Sequence, residues 1–216
     1  MQPETEKTSK SNGDAIKDPI GETVFKIGNV LAQLEPGALA DLRREPGDPS
    51  APQPPYFWRL RARHPEIGSN EATWLRIIRI MAILTDKGDP KGKRSPHRAK
   101  SNDGKWLGFG ASLCDGGDPA WAVGEPEPRA MLSELRFARL LAATGTIRAD
   151  LLERTARALA AKKLAGGKGF DCTDIAKFLL FDDNPKHGKR LARDYYARLD
   201  RGYTDEAPNA DTGDDA

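Results

Sequence analysis

The segment from Glu71 to Asp86 constrains the fold more than any other. Trp74, Leu75, Ile77, Ile78, Ile80, Met81, Ile83 and Leu84 are apolar, and at helical spacing they cover the cylinder nearly all round. Only Arg76 and Arg79, one turn apart, interrupt them as a polar stripe. Such a helix has to be largely buried, so other helices must surround it.

The rest of the chain supplies candidates. Ile20 to Leu34 places Val24, Ile27, Leu31 and Leu34 at helical spacing, and Pro36-Gly37 ends the run. A short cationic helix from Gly37 to about Glu45 follows, with Leu39 and Leu42 one turn apart and Arg43 and Arg44 at its end. Pro46 to Pro55 holds five prolines and reads as a loop. An aromatic helix opening Pro55-Tyr56-Phe57-Trp58-Arg59-Leu60 breaks near His64-Pro65. Lys87 to Lys105 has seven cations against Asp89 and Asp103, with no apolar periodicity, so an exposed, mobile loop is expected. Trp106 to Asp115 reads as a short helix and Gly116 to Pro128 as another loop.

Three further helices are expected. Arg129 to Ala143 would bury Met131, Leu135, Ala138 and Ala142. Ile147 to Leu164 would bury Leu151, Leu152, Ala156, Leu159 and Ala160, with Arg148, Arg154, Arg157, Lys162 and Lys163 outside. Thr173 to Phe181 has Asp171 or Thr173 as its cap. The last helix, Lys186 to Arg201, sets Leu191, Tyr195 and Leu199 against Lys186, Arg190, Arg193 and Arg201. There is no strand signal and no clean internal repeat.

The length of 216 residues suits one or two domains, and 38% apolar with 31% charged residues reads as soluble and globular. No run approaches the roughly 20 apolar residues of a membrane helix, and residues 1–18 lack a signal-like apolar stretch, so a cytoplasmic location without membrane partners is expected. Cys114 and Cys172 are too few for a disulfide framework and read as reduced, partly buried thiols. The net charge of +2 hides an asymmetry: residues 19–203 carry +8, residues 1–18 carry −1 and the tail from Thr204 carries −5. The ends read as a disordered N-terminal segment (1–18) and a disordered acidic tail (204–216) flanking one helical domain, 19–203. A basic body favours a polyanionic partner.

Catalytic and cofactor chemistry finds little support. Gly88 to Lys93 is one residue short of a phosphate loop, and Gly166-Gly167-Lys168-Gly169 follows a helix rather than a strand. His64, His97 and His187 are isolated and read as solvated loop residues, so no metal is expected. Asp182-Asp183 before Asn184-Pro185 reads as a turn or a cap rather than a carboxylate pair. No cofactor is implied.

Binding to nucleic-acid phosphates fits best, through Arg43-Arg44, the Lys91 to Lys105 loop (Lys91, Lys93, Arg94, Arg98, Lys105) and the basic side of the last helix (Arg190, Arg193). Trp58, Trp106 and Trp121 are candidates to stack bases, while Trp74 belongs to the core helix. The alternatives are a free-standing helical nucleic-acid-binding protein and a protein-binding adaptor whose charged faces are only solvated; an enzyme would need a polar pocket the sequence does not reveal.

The order of elements resembles the CasB family, the small subunit of type I-E CRISPR Cascade complexes. The resemblance runs through Ala38-Leu39-Ala40-Asp41-Leu42-Arg43-Arg44, then Phe57-Trp58-Arg59-Leu60 and the long apolar helix. It continues through Leu107-Gly108-Phe109-Gly110-Ala111-Ser112-Leu113, Glu134-Leu135-Arg136-Phe137-Ala138-Arg139-Leu140-Leu141 and Leu191-Ala192-Arg193-Asp194-Tyr195-Tyr196. It covers roughly residues 20 to 203. It implies an all-α bundle of about nine helices with no enzymatic activity of its own. The partners it implies are other Cascade subunits, a second copy of the chain, the CRISPR guide RNA and target DNA including the displaced single strand. Arg43 and Arg44 match the family's basic pair; Lys105, Arg136 and Arg139 are further matches. The basic loop is longer than the family pattern and the acidic tail is extra. On this reading, charge reversal at Arg43 and Arg44 weakens target binding and leaves folding intact.

Overall fold

The computed structural model describes residues 18–44, 52–88, 91, 94, 97–98, 100, 107–118, 120–121, 129–162 and 169–204. The expected disordered ends lie outside these residues apart from Asp18 and Thr204, as do Trp106, Lys163 and the Gly166 to Lys168 run. Among the described residues the architecture is all-α, with nine α-helices and an isolated parallel bridge between Gly108 and Asp171. No helix among them is long and apolar enough to cross a membrane.

The helices are α1 (Pro19–Gln33), α2 (Pro36–Arg44), α3 (Pro55–Arg63), α4 (Glu71–Leu84), α5 (Phe109–Asp115), α6 (Glu134–Ala142), α7 (Gly145–Lys162), α8 (Thr173–Leu180) and α9 (Pro185–Thr204). A 3-10 turn, Pro65–Asn70, leads from α3 into α4, whose first turn is capped by the Asn70 side chain on the Thr73 N–H.

Helix α4 is the central post. Nine of its residues are buried, including Trp74, and α1, α2, α7 and α8 pack around it. Its polar stripe meets α7: Arg76 pairs with Asp150 at 3.0 Å and Arg79 with Glu153 at 2.9 Å. The two arginines therefore hold helix to helix rather than face water.

Helices α5 and α9 lie against each other so closely that a Cβ on Gly110 would sit 2.4 Å from the Leu191 carbonyl oxygen. Only glycine permits that approach, because the obstructing atom is backbone. The expected apolar stripe of α9 is in place: Leu191, Tyr195 and Leu199 are buried, and Tyr195 stacks on Phe137 of α6 with ring centroids 4.2 Å apart.

Three expectations need correction. Helix α6 begins at Glu134, five residues later than the periodicity suggested. The Met131 and Leu132 amides instead donate to the Cys114 and Leu113 carbonyls at the C-terminal end of α5. The buried face is consequently Phe137 and Leu140, while Ala138 and Ala142 are exposed and Leu135 is 65% exposed. Arg148, assigned to the outer side of α7, is 5% exposed.

The third correction concerns histidines. His97, expected in a solvated loop, is 3% exposed, and His64 is also buried. The Thr85 hydroxyl donates to the Met81 carbonyl at 2.9 Å, so its remaining contact, His97 Nε2 at 2.5 Å, must be an N–H that donates to it. His97 Nδ1 is then left to accept from the Cys172 thiol at 3.4 Å. The Cys172 amide also donates to the His97 carbonyl. This buried chain pins the middle of the basic segment to α4 and to the start of α8, so the segment is anchored at that point.

Candidate nucleic-acid interface

The arginines picked out by the sequence fall into two kinds once their partners are known. Arg43 extends from α2 to the C-terminal end of α4, where its Nε donates to the Ala82 carbonyl at 2.8 Å and its Nη2 to the Thr85 carbonyl at 2.5 Å. Arg94 does the same for α1, reaching the Leu34 carbonyl at 2.9 Å and lying near those of Leu31 and Ala32; it also donates to the Gly88 carbonyl. The last carbonyls of a helix lack intrahelical donors and carry the negative end of its dipole, so a guanidinium is a suitable cap. Burial, and Arg94 nearby, lower the pKa of Arg43, which still stays charged at neutral pH.

Arg98 is tied as well. It lies 3.6 Å from Asp171 and 3.8 Å from Asp18, and Asp18 pairs with Lys177 at 2.8 Å. Asp18, assigned by the sequence to the N-terminal segment, thus caps α1 and links it to α8. Burial opposes ionisation of Asp18, but the Lys177 contact and the Gly21 amide outweigh it and lower its pKa.

Arg190 is exposed yet has an interior role. Its Nε lies 3.1 Å from a carboxylate oxygen of buried Asp174, which also accepts the Phe109 amide. Burial pushes the Asp174 carboxyl up to about 6, partly offset by Arg190 and helped by neighbouring Asp171 and Asp194. The N-cap of α8 is Cys172 rather than Asp171 or Thr173, the two residues the sequence suggested; Asp171, just before it, accepts the Thr173 amide at 2.9 Å.

The other candidates stand at the surface. Arg44 is exposed at the end of α2 and pairs with Asp41 of its own helix at 3.3 Å. Arg136 and Arg139 are exposed on α6, and Lys91 is exposed. Arg193 is 73% exposed on α9, next to Asp194. Lys186 and Arg201 are exposed on α9 as expected. Lys93 and Lys105 lie outside the described residues. The Phe137–Tyr195 stack and the neighbouring Tyr196 join α6 to α9, and Arg136, Arg139 and Arg193 are exposed on these two helices. By contrast, Arg43 and Arg44, adjacent in sequence, do not form a joint grip.

The remaining motifs resolve into structural roles. Asp182 pairs with Arg148 at 2.7 Å and accepts the Gly145 amide, while Asn184 accepts the Lys186 amide, so the Asp-Asp-Asn run is a turn that caps two helices. Arg148 also donates to the carbonyls of Ala143, Phe178 and Asp182 and lies 4.1 Å from the Phe178 ring centre. Trp121 is half-buried beneath Arg198 and donates its indole N–H to Arg129. Burial, then the Asp115 charge, push the Cys114 thiol up to about 12, which keeps it protonated and unreactive. Burial lowers the pKa of His64 and of His187, the latter helped by nearby Lys177, Lys186 and Arg190.

The sequence reading passed over Arg59, Arg61 and Arg63, all exposed on α3. Their alternation beside Trp58 was the available signal.

Comparison with curated proteins and with solved structures gave no match. A family model described as CRISPR-associated protein Cse2 matches residues 38–196. That match spans α3 to α8 whole together with most of α2 and α9 as far as Tyr196. The chain belongs to the CRISPR-associated protein Cse2 family, a family of CRISPR Cascade subunits.

Proposed function

We propose that this chain is the non-catalytic small subunit of a type I-E Cascade complex. It stands there with a second copy of itself beside the other subunits. Its work is to hold the guide RNA–target DNA hybrid and the displaced strand by their phosphates. In such complexes base pairing reads the sequence, so a protein subunit needs only backbone contacts, and arginines without base-reading geometry suffice.

The observation that carries this reading is the exposure of Arg136, Arg139 and Arg193 on α6 and α9, two helices joined by ring contacts. Arg136 and Arg139 are exposed on α6, and Arg193 is exposed on α9 while also donating to Asp194 at 3.1 Å; phosphates that reach these arginines release their counterions. Rigid helices present these charges in fixed positions, so a strand laid along them loses little to protein reordering. Arg44 and Lys91 add charge elsewhere on the surface. Holding the displaced strand raises the free energy of duplex re-closure and favours the open R-loop.

The test is reconstitution. Cascade assembled with guide RNA should bind target duplex more weakly without this chain, and permanganate reactivity of the displaced strand should change on adding it back. Adding back the Arg136→Glu, Arg139→Glu, Arg193→Glu variant should restore assembly without restoring target binding. Full target binding by the complex lacking the chain would overturn the proposal.

A further inference from the structure

Helix α3 carries an aromatic and cationic surface that the function above does not use. The buried side of α3 is Phe57 and Leu60. On its outer side Trp58 is 46% exposed, packed edge-on against Phe57 with centroids 5.6 Å apart. Ala62, one turn on, is too small to cover the indole and is itself exposed. The Arg61 guanidinium lies 5.6 Å from the Trp58 ring centre and 2.5 Å from Glu71, and that of Arg59 lies 4.8 Å from the Tyr56 ring centre. Arg63 is exposed at the last turn, and α3 itself contains no acidic residue.

We infer that the outer side of α3 is a single-stranded nucleic-acid subsite: one base stacks on Trp58 while Arg59 and Arg63 hold the flanking phosphates. An exposed indole held from below and flanked by guanidiniums combines the two elements of sequence-tolerant single-strand binding, an aromatic platform and a cationic track. Charge decides between nucleic acid and protein as the occupant. Among the described residues, the outer side of α3 around Trp58 presents arginines and Ala62, with Phe57 beneath, rather than the wider apolar ring that surrounds an aromatic anchor in a protein interface. Glu71 neutralises Arg61, which fixes that side chain beside the indole and leaves Arg59 and Arg63 for phosphates. A duplex keeps its bases stacked inside, so Trp58 discriminates in favour of single strands. The inference rests on the proposed function only in taking nucleic acid as the partner.

The test uses the full chain and fluorescence anisotropy with a labelled oligothymidylate and a duplex of equal length, across a salt series. Trp58→Ala should weaken oligothymidylate binding about tenfold, with the salt slope and duplex binding unchanged, and Trp58→Phe should retain most of the affinity. Arg59→Ala with Arg63→Ala should lower the single-strand salt slope by about 1.4. Trp58→Ala that binds oligothymidylate like wild type overturns the subsite, as does wild-type protein that binds none at low salt. Loss of co-purification with other Cascade subunits in Trp58→Ala, with single-strand binding intact, also overturns it and assigns Trp58 to a protein contact. The outcomes separate from those of the proposed function: if only the α6 and α9 variant loses single-strand binding, the subsite fails and that function stands. If only Trp58→Ala loses it, the reverse holds.

Discussion

The seam where α1, α2 and α4 meet and the exposed sides of α6 and α9 are both rich in arginine, but they use it differently. At the seam, Arg43 and Arg94 turn inward and donate to the last carbonyls of two neighbouring helices. On α6 and α9, Arg136, Arg139 and Arg193 are exposed on helices already held by Phe137, Leu140, Leu191 and Tyr195. The difference lies in what each helix end lacks. Helices α1 and α4 end in extended residues, Leu34 and Thr85, with no glycine cap to turn the chain back, so their last carbonyls need outside donors. An arginine count therefore overstates the charge offered to a polyanion.

The comparison can be tested by removing one arginine at a time. Arg148→Ala should have the largest effect. It leaves three carbonyls, that of Phe178 buried and those of Ala143 and Asp182 partly so, and the Asp182 carboxylate without this donor, and a loss of about 3 kcal/mol is expected in urea unfolding. Arg43→Ala should cost about 2 kcal/mol by the same measurement, for two half-buried charge-assisted bonds. It should leave the salt slope of nucleic-acid binding unchanged. Charge reversal at Arg43, unlike that at Arg44, should therefore cost stability, where the sequence-based expectation is that both spare folding.

Arg190→Ala should have a smaller, pH-dependent effect, about 1 kcal/mol at pH 7 because the arginine is partly exposed. The folded Asp174 carboxyl, at about 6, lies above its ordinary value of 3.8. Its contribution to stability is thus fully present below the unfolded value and is lost as pH rises through the folded one. Arg190 limits that loss. Without it the folded value rises further, so variant and wild type should differ most at pH 7 and converge as pH falls toward 4 in thermal melts. Divergence at low pH instead would show that Arg190 does not act through Asp174. The smallest stability change, within about 0.5 kcal/mol, is expected for Arg136→Ala, Arg139→Ala and Arg193→Ala together.

Much of the architecture was legible because periodicity reports burial directly. The all-round apolar pattern of α4 and the four-residue stripe of α9 led to the right faces, and Trp74 to the core. Helix α6 was misread because Met131 fits a helical stripe with Leu135, yet its amide and that of Leu132 donate to the end of α5, a contact that local periodicity does not report. The arginines were harder for a related reason. A long cationic side chain looks alike in sequence whether it reaches water or a carbonyl, and the helix ends that Arg43 and Arg94 satisfy lie about 40 to 60 residues away. His97 is the same case, since Thr85 and Cys172 meet it only in the folded chain. The α3 arginines could have been found from their alternation beside Trp58, a pattern weighed as a helix and not as a surface.

The measurement that tests the central claim most directly is the salt dependence of oligothymidylate binding by the full chain and two variants. One is Arg136→Ala, Arg139→Ala, Arg193→Ala; the other is Arg43→Ala. The account predicts that the first folds like wild type and loses about 2 from the salt slope, near 0.7 for each phosphate contact, while the second is less stable and keeps the slope. A slope preserved in the triple variant and reduced in Arg43→Ala would contradict it.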